Sequence, residues 1–484
     1  MSNTPPFHFS RHVTPRHASR GKKGTLQLHR SLTSLCAALG VFLLVYVSGH
    51  PWLNGNMLAL LDASIVATLF FHYTYFYHRQ PYVFSSSFWV AAFAGFYFVL
   101  KSFEFADSDT TYIEIALAYC LLFLFAYTAG YAASNWIKFS KHGGQEIIVL
   151  RERKFLYACF AIFVGMRLAG FLLVRWAVGD SYTQLDLAVQ TQNQGMAYLF
   201  KILEIGRLAF WSMAAYCFVT RRHFPILGAA ALIVLADAVS NASRSTVIFL
   251  VLGLLFLYGR FIRRVPYVLL AALLPLLITV VAFFGYVRNI DVGNAAVYTE
   301  AVRYFSENPD FVWQLFMQRM DLLPSIAQLL EMRDVGNPEF FWGSSYINAF
   351  LHIVPRTLWP EKAPLSAAYM SMQVAPGAFA EGVNLYPSVF MEGYLNFGLA
   401  GVVLSGIMVG LLSRMYDRWM RSRSFFRLLL YLAFFTFPLG LLDEGVHSNY
   451  FADVLYTATL LTIMLSLFRA SGIVRWTRRP RALV

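Results

Sequence analysis

The chain has 484 residues, of which 58% are hydrophobic, 17% are aromatic and only 13% are charged. This composition excludes a soluble globular protein with an ordinary polar surface, so lipid must be the main solvent of the folded chain. The net charge is +13 at neutral pH, but the basic residues are spread along the chain. Membrane topology therefore explains the charge better than nucleic-acid binding does, and we expect no nucleic-acid partner.

Residues 1–30 come first and contain three prolines and six Lys or Arg residues without an apolar stretch. We predict a disordered basic arm on the cytoplasmic side of a membrane. A cleavable signal peptide would need an apolar core of its own, and none precedes the first long apolar run. The segment is therefore expected to stay attached and unstructured.

Apolar segments of a length that can cross roughly 30 Å of hydrocarbon follow along the chain. We predict an all-α polytopic membrane protein with about twelve transmembrane helices, a GT-C-like bundle. Nine spans fall in residues 31–287 and three in residues 387–468. The predicted spans are 31–48, 57–77, 84–103, 113–134, 155–176, 197–219, 225–240, 244–259, 266–287, 387–413, 428–442 and 451–468.

The orientation follows from the distribution of charge between alternate loops. If the N-terminus is cytoplasmic, 27 of the 39 Lys and Arg residues lie in cytoplasmic segments, together with only three acidic residues. Short cytoplasmic loops are rich in Lys and Arg. We therefore predict that both termini are cytoplasmic, including a basic tail at 469–484, and that the number of spans is even.

One connection differs from all the others, because residues 288–386 form a segment of about 99 residues between the ninth and tenth spans. It contains aromatic residues throughout, and residues 310–332 have the apolar spacing of a helix. Loops of this length without structure are uncommon in compact proteins. We predict a large, partly helical extracytoplasmic loop that folds over the bundle.

Ionisable residues within the spans are informative because each costs several kcal/mol in a bilayer unless it is paired or hydrated. Arg167 and Glu204 are predicted at similar depth on consecutive spans, so the two side chains could form an ion pair. The other candidates fall at or near outer helix ends, whereas the inner ends have no comparable cluster of mixed sign. These outer candidates are Asp237, Arg244, Arg288, Glu392 and His447.

A cleft lined by arginines at the outer surface suits a ligand that carries phosphate. The planar guanidinium group binds diphosphate oxygens and can stabilise charge that develops on a diphosphate leaving group. Such a reaction needs one carboxylate or imidazole to accept a proton from the attacking hydroxyl. We expect no metal and no cofactor, and the sequence contains no HExxH, CxxC or Walker motif.

Four stretches resemble the Wzy-type oligosaccharide repeat-unit polymerases, which are relatives of the O-antigen and exopolysaccharide polymerases. The more specific ones are a Pro-Arg and Trp-Pro-x-Lys loop and a glycine-rich segment at the start of the tenth span. One departure is Ala363, where a proline would be expected after the lysine. The stretches are 240–245 (SNASRS), 318–321 (QRMD), 342–346 (WGSSY) with 353–364 (IVPRTLWPEKAP), and 392–401 (EGYLNFGLAG).

The resemblance implies a glycosyltransferase at the outer face of a bacterial inner membrane. It would transfer a growing glycan from its polyprenyl diphosphate onto a newly flipped, lipid-linked repeat unit. A flippase and a chain-length regulator of the same pathway are the implied protein partners. We assign substrate contacts to Arg167, Arg244, Arg288, Arg319, Arg356 and Lys362, and we consider Glu392, Asp321 and His447 as candidates for the proton acceptor.

Two other functions remain compatible with the sequence. An O-antigen ligase uses the same donor but transfers the glycan to a lipid A core. A lipid-linked glycan flippase or another transporter would also have about twelve spans, although such proteins tend to have two related halves and charges through the whole membrane.

Overall fold

The computed structural model describes most of the chain, and everything below refers to that part. The described residues are 57–77, 84–105, 111–134, 145–178, 197–240, 243–263, 265, 267–287, 295–318, 320–334, 340–351, 366–380, 385–422, 424–435, 437–444 and 450–478. The predicted first span at 31–48 and the basic arm at 1–30 lie outside these ranges.

The first three described helices are predominantly apolar. They are α1 (Met57–Tyr77), α2 (Ser86–Ala94) and α3 (Thr111–Ala133). Ser85 caps α2, because its hydroxyl accepts a hydrogen bond from the Phe88 N–H at 3.3 Å. Beyond Ala94 the helix continues as a π-helical stretch, Gly95–Leu100, and a short 3₁₀ turn, Phe103–Phe105.

Five further helices follow in the described part of the chain. They are α4 (Glu152–Val178), α5 (Ala197–Thr220), α6 (Phe224–Ser240), α7 (Arg244–Phe261) and α8 (Tyr267–Val287). Helices α4 and α5 pack closely at Gly206, where a Cβ atom would lie 2.8 Å from the Met166 side chain. The small residue therefore sets the distance between these two helices.

Between α8 and the last helices the described chain forms shorter helices. They are α9 (Ala295–Glu307), α10 (Pro309–Gln318), α11 (Leu322–Asp334), α12 (Ser344–Leu351), α13 (Ser366–Val374) and α14 (Pro376–Ala380). Helix α11 packs on α3, and Tyr112 donates a hydrogen bond to Asp334 at 3.0 Å. Helix α10 buries Phe316 and Met317 against α8 and the π-helical stretch. The segment is thus packed onto the long apolar helices.

The C-terminal part contains α15 (Ser388–Arg421), α16 (Phe425–Ala433), α17 (Phe437–Glu444) and α18 (Tyr450–Ala470). Strand β1 (Gln145–Val149) pairs antiparallel with β2 (Val474–Arg478). This two-stranded sheet joins the segment after α3 to the segment after α18. The sequence did not predict it, because neither strand shows more than a few alternating residues.

Two large apolar cores hold the described helices together. The first centres on α5 and includes Trp211, Tyr216 and Tyr431. The second centres on the contact between α3 and α15 and includes Phe123 and Phe390. The second core also receives α11, so it connects the long segment after α8 to the spanning helices.

The observed helices support a multi-pass membrane protein. Within the described residues, five helices are long and apolar enough to cross a membrane, and five shorter apolar helices accompany them. The predicted span 387–413 falls within α15, which is long and apolar enough to cross a membrane although its backbone is non-helical at Phe397 and Gly398. The predicted span 428–442 is wrong as a single helix, because α16 ends at Ala433 and α17 begins at Phe437. The total of twelve spans stays a prediction.

Candidate functional site

The break in α15 brings two parts of its backbone into contact. Phe397 (φ −140°, ψ 21°) and Gly398 (φ 61°, ψ −145°) leave the helical conformation. A Cβ atom at Gly401 would lie 1.8 Å from the Gly393 carbonyl oxygen, so the short helix before the break folds back against the segment after it. Glycine is needed at 398 for the positive φ and at 393 and 401 for the close approach.

A buried polar network joins this broken helix to α12. The Ser345 hydroxyl donates to Glu392 Oε1 at 2.9 Å. The Asn396 amide donates to Ser345 Oγ at 2.7 Å and to the Glu392 carbonyl at 2.8 Å. The Gly343 N–H in turn donates to Asn396 Oδ1 at 2.9 Å. Glu392 and Asn396 are fully buried, so these bonds form in an environment of low polarity, where an unsatisfied partner would be costly.

The backbone adds a further contact between the same two segments. The Phe341 N–H donates to the Leu395 carbonyl at 2.8 Å. Trp342 next to it has φ 48° and Gly343 has φ 85°, and a non-glycine residue at positive φ is uncommon. The two sequence motifs 342–346 and 392–401 therefore meet in space, and this contact defines the candidate site.

Aromatic side chains surround the network. Tyr346 stacks on Phe397 with ring centres 6.2 Å apart, and Phe340 contacts Trp342 at 5.7 Å. Burial raises the pKa of the Tyr346 hydroxyl well above its ordinary value, and the nearby Glu392 carboxylate raises it further. Tyr346 therefore stays neutral and available as a hydrogen-bond donor over the physiological pH range.

Asp321, one of the three candidate proton acceptors, is held by a lysine. Its Oδ1 lies 2.8 Å from Lys101 Nζ, and the same ammonium group lies 2.5 Å from Glu104 Oε2. The Lys101 side chain is buried, whereas Asp321 is half exposed. This pairing ties the start of α11 to the end of the π-helical stretch, and it was not apparent from the sequence.

The predicted pair between Arg167 and Glu204 is wrong. Arg167 on α4 forms a short ion pair with Asp237 on α6, while Glu204 pairs with Arg207 of its own helix at 2.7 Å. Depth alone did not identify the partner of Arg167, because two residues at equal depth meet only if both lie on the facing sides of their helices. Arg167 also lies 5.9 Å from the Phe163 ring.

The remaining predicted residues are not positioned by the described structure. Arg244 is the first residue of α7, but its side chain is outside the described part. His447, Arg288, Arg319, Arg356 and Lys362 lie outside the described residues altogether. Their proposed grouping around one cleft therefore stays a prediction.

The C-terminal end of α15 carries a second polar cluster. The sequence predicted a loop in this region, so the cluster was not expected. Asp417 is buried and accepts hydrogen bonds from the Ser86 N–H at 2.9 Å and the Tyr131 hydroxyl at 2.7 Å. Arg414 donates to the same hydroxyl at 3.0 Å. In the predicted orientation this is an inner helix end, so the cluster contradicts the expectation that inner ends lack a cluster of mixed sign. It lies on α15 because that helix extends to Arg421 instead of ending near 413.

Several site residues were not singled out from the sequence. Ser345 and Asn396 belong to the quoted motifs, but their roles appear only once the motifs are seen in contact. Lys101 sits in an apolar run and offered no pattern. Among the described residues, no three His, Cys, Asp or Glu side chains are grouped so that they could hold a metal ion.

The apolar helices and the buried polar network define a multi-pass membrane protein with its candidate site at a break in one spanning helix. The family model described as O-antigen polysaccharide polymerase Wzy matches residues 93–470. The chain belongs to this family, which confirms the resemblance found in the sequence. No curated protein and no solved structure matches the chain.

Proposed function

We propose that the protein is a polysaccharide polymerase that joins oligosaccharide repeat units carried on polyprenyl diphosphate. The reaction takes place at the outer face of a bacterial inner membrane, with both termini in the cytoplasm. The C1 carbon of the donor sugar forms a bond to a hydroxyl of the incoming repeat unit, the bond to the diphosphate breaks, and the hydroxyl proton passes to a protein group. The carrier diphosphate leaves with its electron pair.

The contact between motifs 342–346 and 392–401 is the observation that carries this proposal. These motifs are two of the stretches in which the sequence resembles repeat-unit polymerases, and the hydrogen bond from Ser345 to Glu392 links them across 47 residues. The site lies at the start of α15, which is the predicted outer end of that helix. The pairing of β1 with β2 supports placing these two segments on the same side of the membrane, as the proposed topology requires.

Arginines contribute the binding of the diphosphate in this proposal. Arg244, Arg288, Arg319 and Arg356 hold the phosphate and sugar oxygens, and Lys362 assists. Arg167 is left out of this set because its charge is already paired with Asp237. A guanidinium group stays charged at any relevant pH and offers two parallel donors to one phosphate. The leaving diphosphate is thereby stabilised by fixed positive charge.

For Glu392 we propose a positioning role. The side chain is 0% exposed, so an acceptor hydroxyl does not reach it while α12 stays packed on α15. Its hydrogen bond from Ser345 instead fixes the turn that contains Trp342 and Gly343. The proton then goes to Asp321 or His447.

A pair of substitutions at Glu392 tests this assignment. Glu392→Gln keeps an oxygen that can accept the Ser345 hydrogen bond, so we expect polymer at half of the normal amount or more. Glu392→Ala leaves the buried Ser345 hydroxyl without this partner, at a cost of about 1–3 kcal/mol, and should reduce both the folded protein and the polymer. The measurement is the ladder of polymer lengths on a gel, normalised to the amount of protein in the membrane.

The opposite result would restore Glu392 as the proton acceptor. In that case Glu392→Gln would lower turnover by about 10²–10⁴-fold, the usual contribution of a general base, with a normal amount of folded protein. Asp321→Asn and His447→Gln, measured in parallel, should then retain activity. Under our assignment, one of these two variants shows the large loss instead.

The function itself is tested in a strain that lacks the chain. We expect single repeat units to accumulate on the lipid acceptor or on the carrier, and the full chain to restore long polymer. A strain that keeps long polymer on polyprenyl diphosphate would indicate a ligase. Transporters tend to have charges through the whole membrane, and the cluster at Asp417 adds charge at the far end of α15. Purified protein in liposomes should therefore also be assayed for flipping. Flipping without polymerisation would contradict the proposal.

A further inference from the structure

A group of aromatic residues, two of them exposed and two half-buried, borders the buried network. We call Phe340, Trp342, Tyr346 and Phe397 the aromatic patch. Trp342 is 75% exposed and Phe397 is 40% exposed. An exposed aromatic face in a membrane protein can contact lipid or stack on a ligand, and the groups beside it distinguish the two.

The patch is held in place by the turns around it. The Phe397 ring lies 3.1 Å from where a Cβ atom on Gly343 would be, and the Phe340 ring lies 3.7 Å from the corresponding point on Gly398. Both glycines have positive φ, so each turn presents its neighbouring ring to the outside. The hydrogen bond between Gly343 and Asn396 fixes the two turns relative to each other. The surface is therefore ordered before any ligand arrives, which lowers the cost of binding.

A positive charge lies at the edge of the patch. The Arg333 guanidinium carbon is 3.9 Å from the centre of the Phe340 ring, which is a close cation–π contact. Hydrocarbon chains of a lipid gain nothing from such a charge, whereas the oxygens of sugars and of a phosphate do. The combination of flat aromatic faces with a guanidinium group fits a glycan near a phosphate better than it fits an acyl chain.

We propose that the aromatic patch binds sugars of the lipid-linked oligosaccharide, which stack the apolar C–H side of their rings on Trp342 and Phe397. This inference rests on the proposed function and identifies where the repeat unit is held. Aromatic rings bind through face and edge contacts that depend on ring geometry as well as on buried area. Stacking of this kind tolerates different hydroxyl patterns and orients the sugar without a dense set of hydrogen bonds.

The test compares leucine substitutions in the full-length protein in detergent. Leucine keeps the apolar character that anchors a side chain in a membrane but removes the flat face. The probe is the phosphate-free oligosaccharide repeat unit released from its carrier, with sugar-free polyprenyl phosphate as the second ligand. We expect Trp342→Leu and Phe397→Leu to weaken binding of the oligosaccharide by roughly tenfold and to leave binding of polyprenyl phosphate unchanged, as measured by calorimetry.

The control is Trp176→Leu on α4, because Trp176 is similarly exposed at 74% and α4 packs on α5 and α6. It should bind both ligands as the unsubstituted protein does. Unchanged oligosaccharide binding by both patch variants would overturn the inference and make the patch a membrane anchor, and selective loss of polyprenyl phosphate binding would overturn it in favour of a lipid site. If the unsubstituted protein binds the oligosaccharide but forms no polymer, the proposed function fails while the sugar site stands.

Discussion

Gly401→Ala should prevent the protein from reaching its folded state in normal amounts. The added Cβ atom would lie 1.8 Å from the Gly393 carbonyl oxygen and 2.4 Å from its carbonyl carbon. Real Cβ atoms do not approach backbone atoms so closely, and the neighbour is main chain, which cannot rotate away. Overpacking of a tight contact costs about 1–3 kcal/mol, and a backbone clash belongs at the upper end of that range.

The effect on activity should be as large as the effect on folding. Separation of 393 from 401 moves the short helix that carries Glu392 and Asn396, and these residues position the turn at Trp342. The effect on folding is measured by thermal unfolding of the purified protein and, separately, by its monodispersity in size-exclusion chromatography. The ladder of polymer lengths reports the second effect.

Gly165→Ala on α4 is the matched control. A Cβ atom there has nothing within 4 Å, and alanine favours a helix over glycine by up to about 1 kcal/mol. This variant should fold and polymerise normally or be slightly more stable. A Gly401→Ala protein that behaves in the same way as the control would show that the two segments do not touch, and the description of the broken helix would have to be abandoned.

The positions of most spanning helices could be predicted from the sequence because hydropathy depends only on consecutive residues. Each predicted span from 57–77 to 266–287 overlaps an observed helix. The break at Phe397 and Gly398 could not be found in this way, since the apolar run continues through it. A glycine in such a run is compatible with close packing, with a kink or with neither, and only the backbone angles distinguish them.

The contents of the candidate site were only partly predictable. The sequence singled out Glu392 and the motif that contains Ser345, but not their contact, because the intervening chain leaves their separation undetermined. Arg167 was given the wrong partner because depth along a helix says nothing about which side of the helix a residue lies on. The Lys101 ion pairs join an apolar run to the long segment after α8, and no local pattern indicates them.

The second large effect is expected at the other end of α15, where Asp417→Ala should strongly destabilise the bundle. The carboxylate is 1% exposed and receives the Ser86 N–H in the first turn of α2 and the Tyr131 hydroxyl on α3. It therefore connects three helices at one point. Removal of one member of a buried charged network costs about 3–5 kcal/mol, because the groups left behind have lost their compensating charge.

Two milder variants separate charge from hydrogen bonding at Asp417. Asp417→Asn keeps an oxygen for the Ser86 N–H and should lose much less stability than Asp417→Ala. Tyr131→Phe removes two hydrogen bonds, the one that the hydroxyl donates to Asp417 and the one that it accepts from Arg414, each worth about 1 kcal/mol or somewhat more because one partner is charged. In a double-mutant cycle, the losses from Asp417→Ala and Tyr131→Phe should be less than additive, since both remove the same 2.7 Å contact. Purified proteins are compared by thermal unfolding, and strictly additive losses would show that the two side chains act independently.

Because the cluster is distant in sequence from Glu392, a stable Asp417→Asn protein should still produce long polymer. This result would identify the cluster as a structural connection between helices.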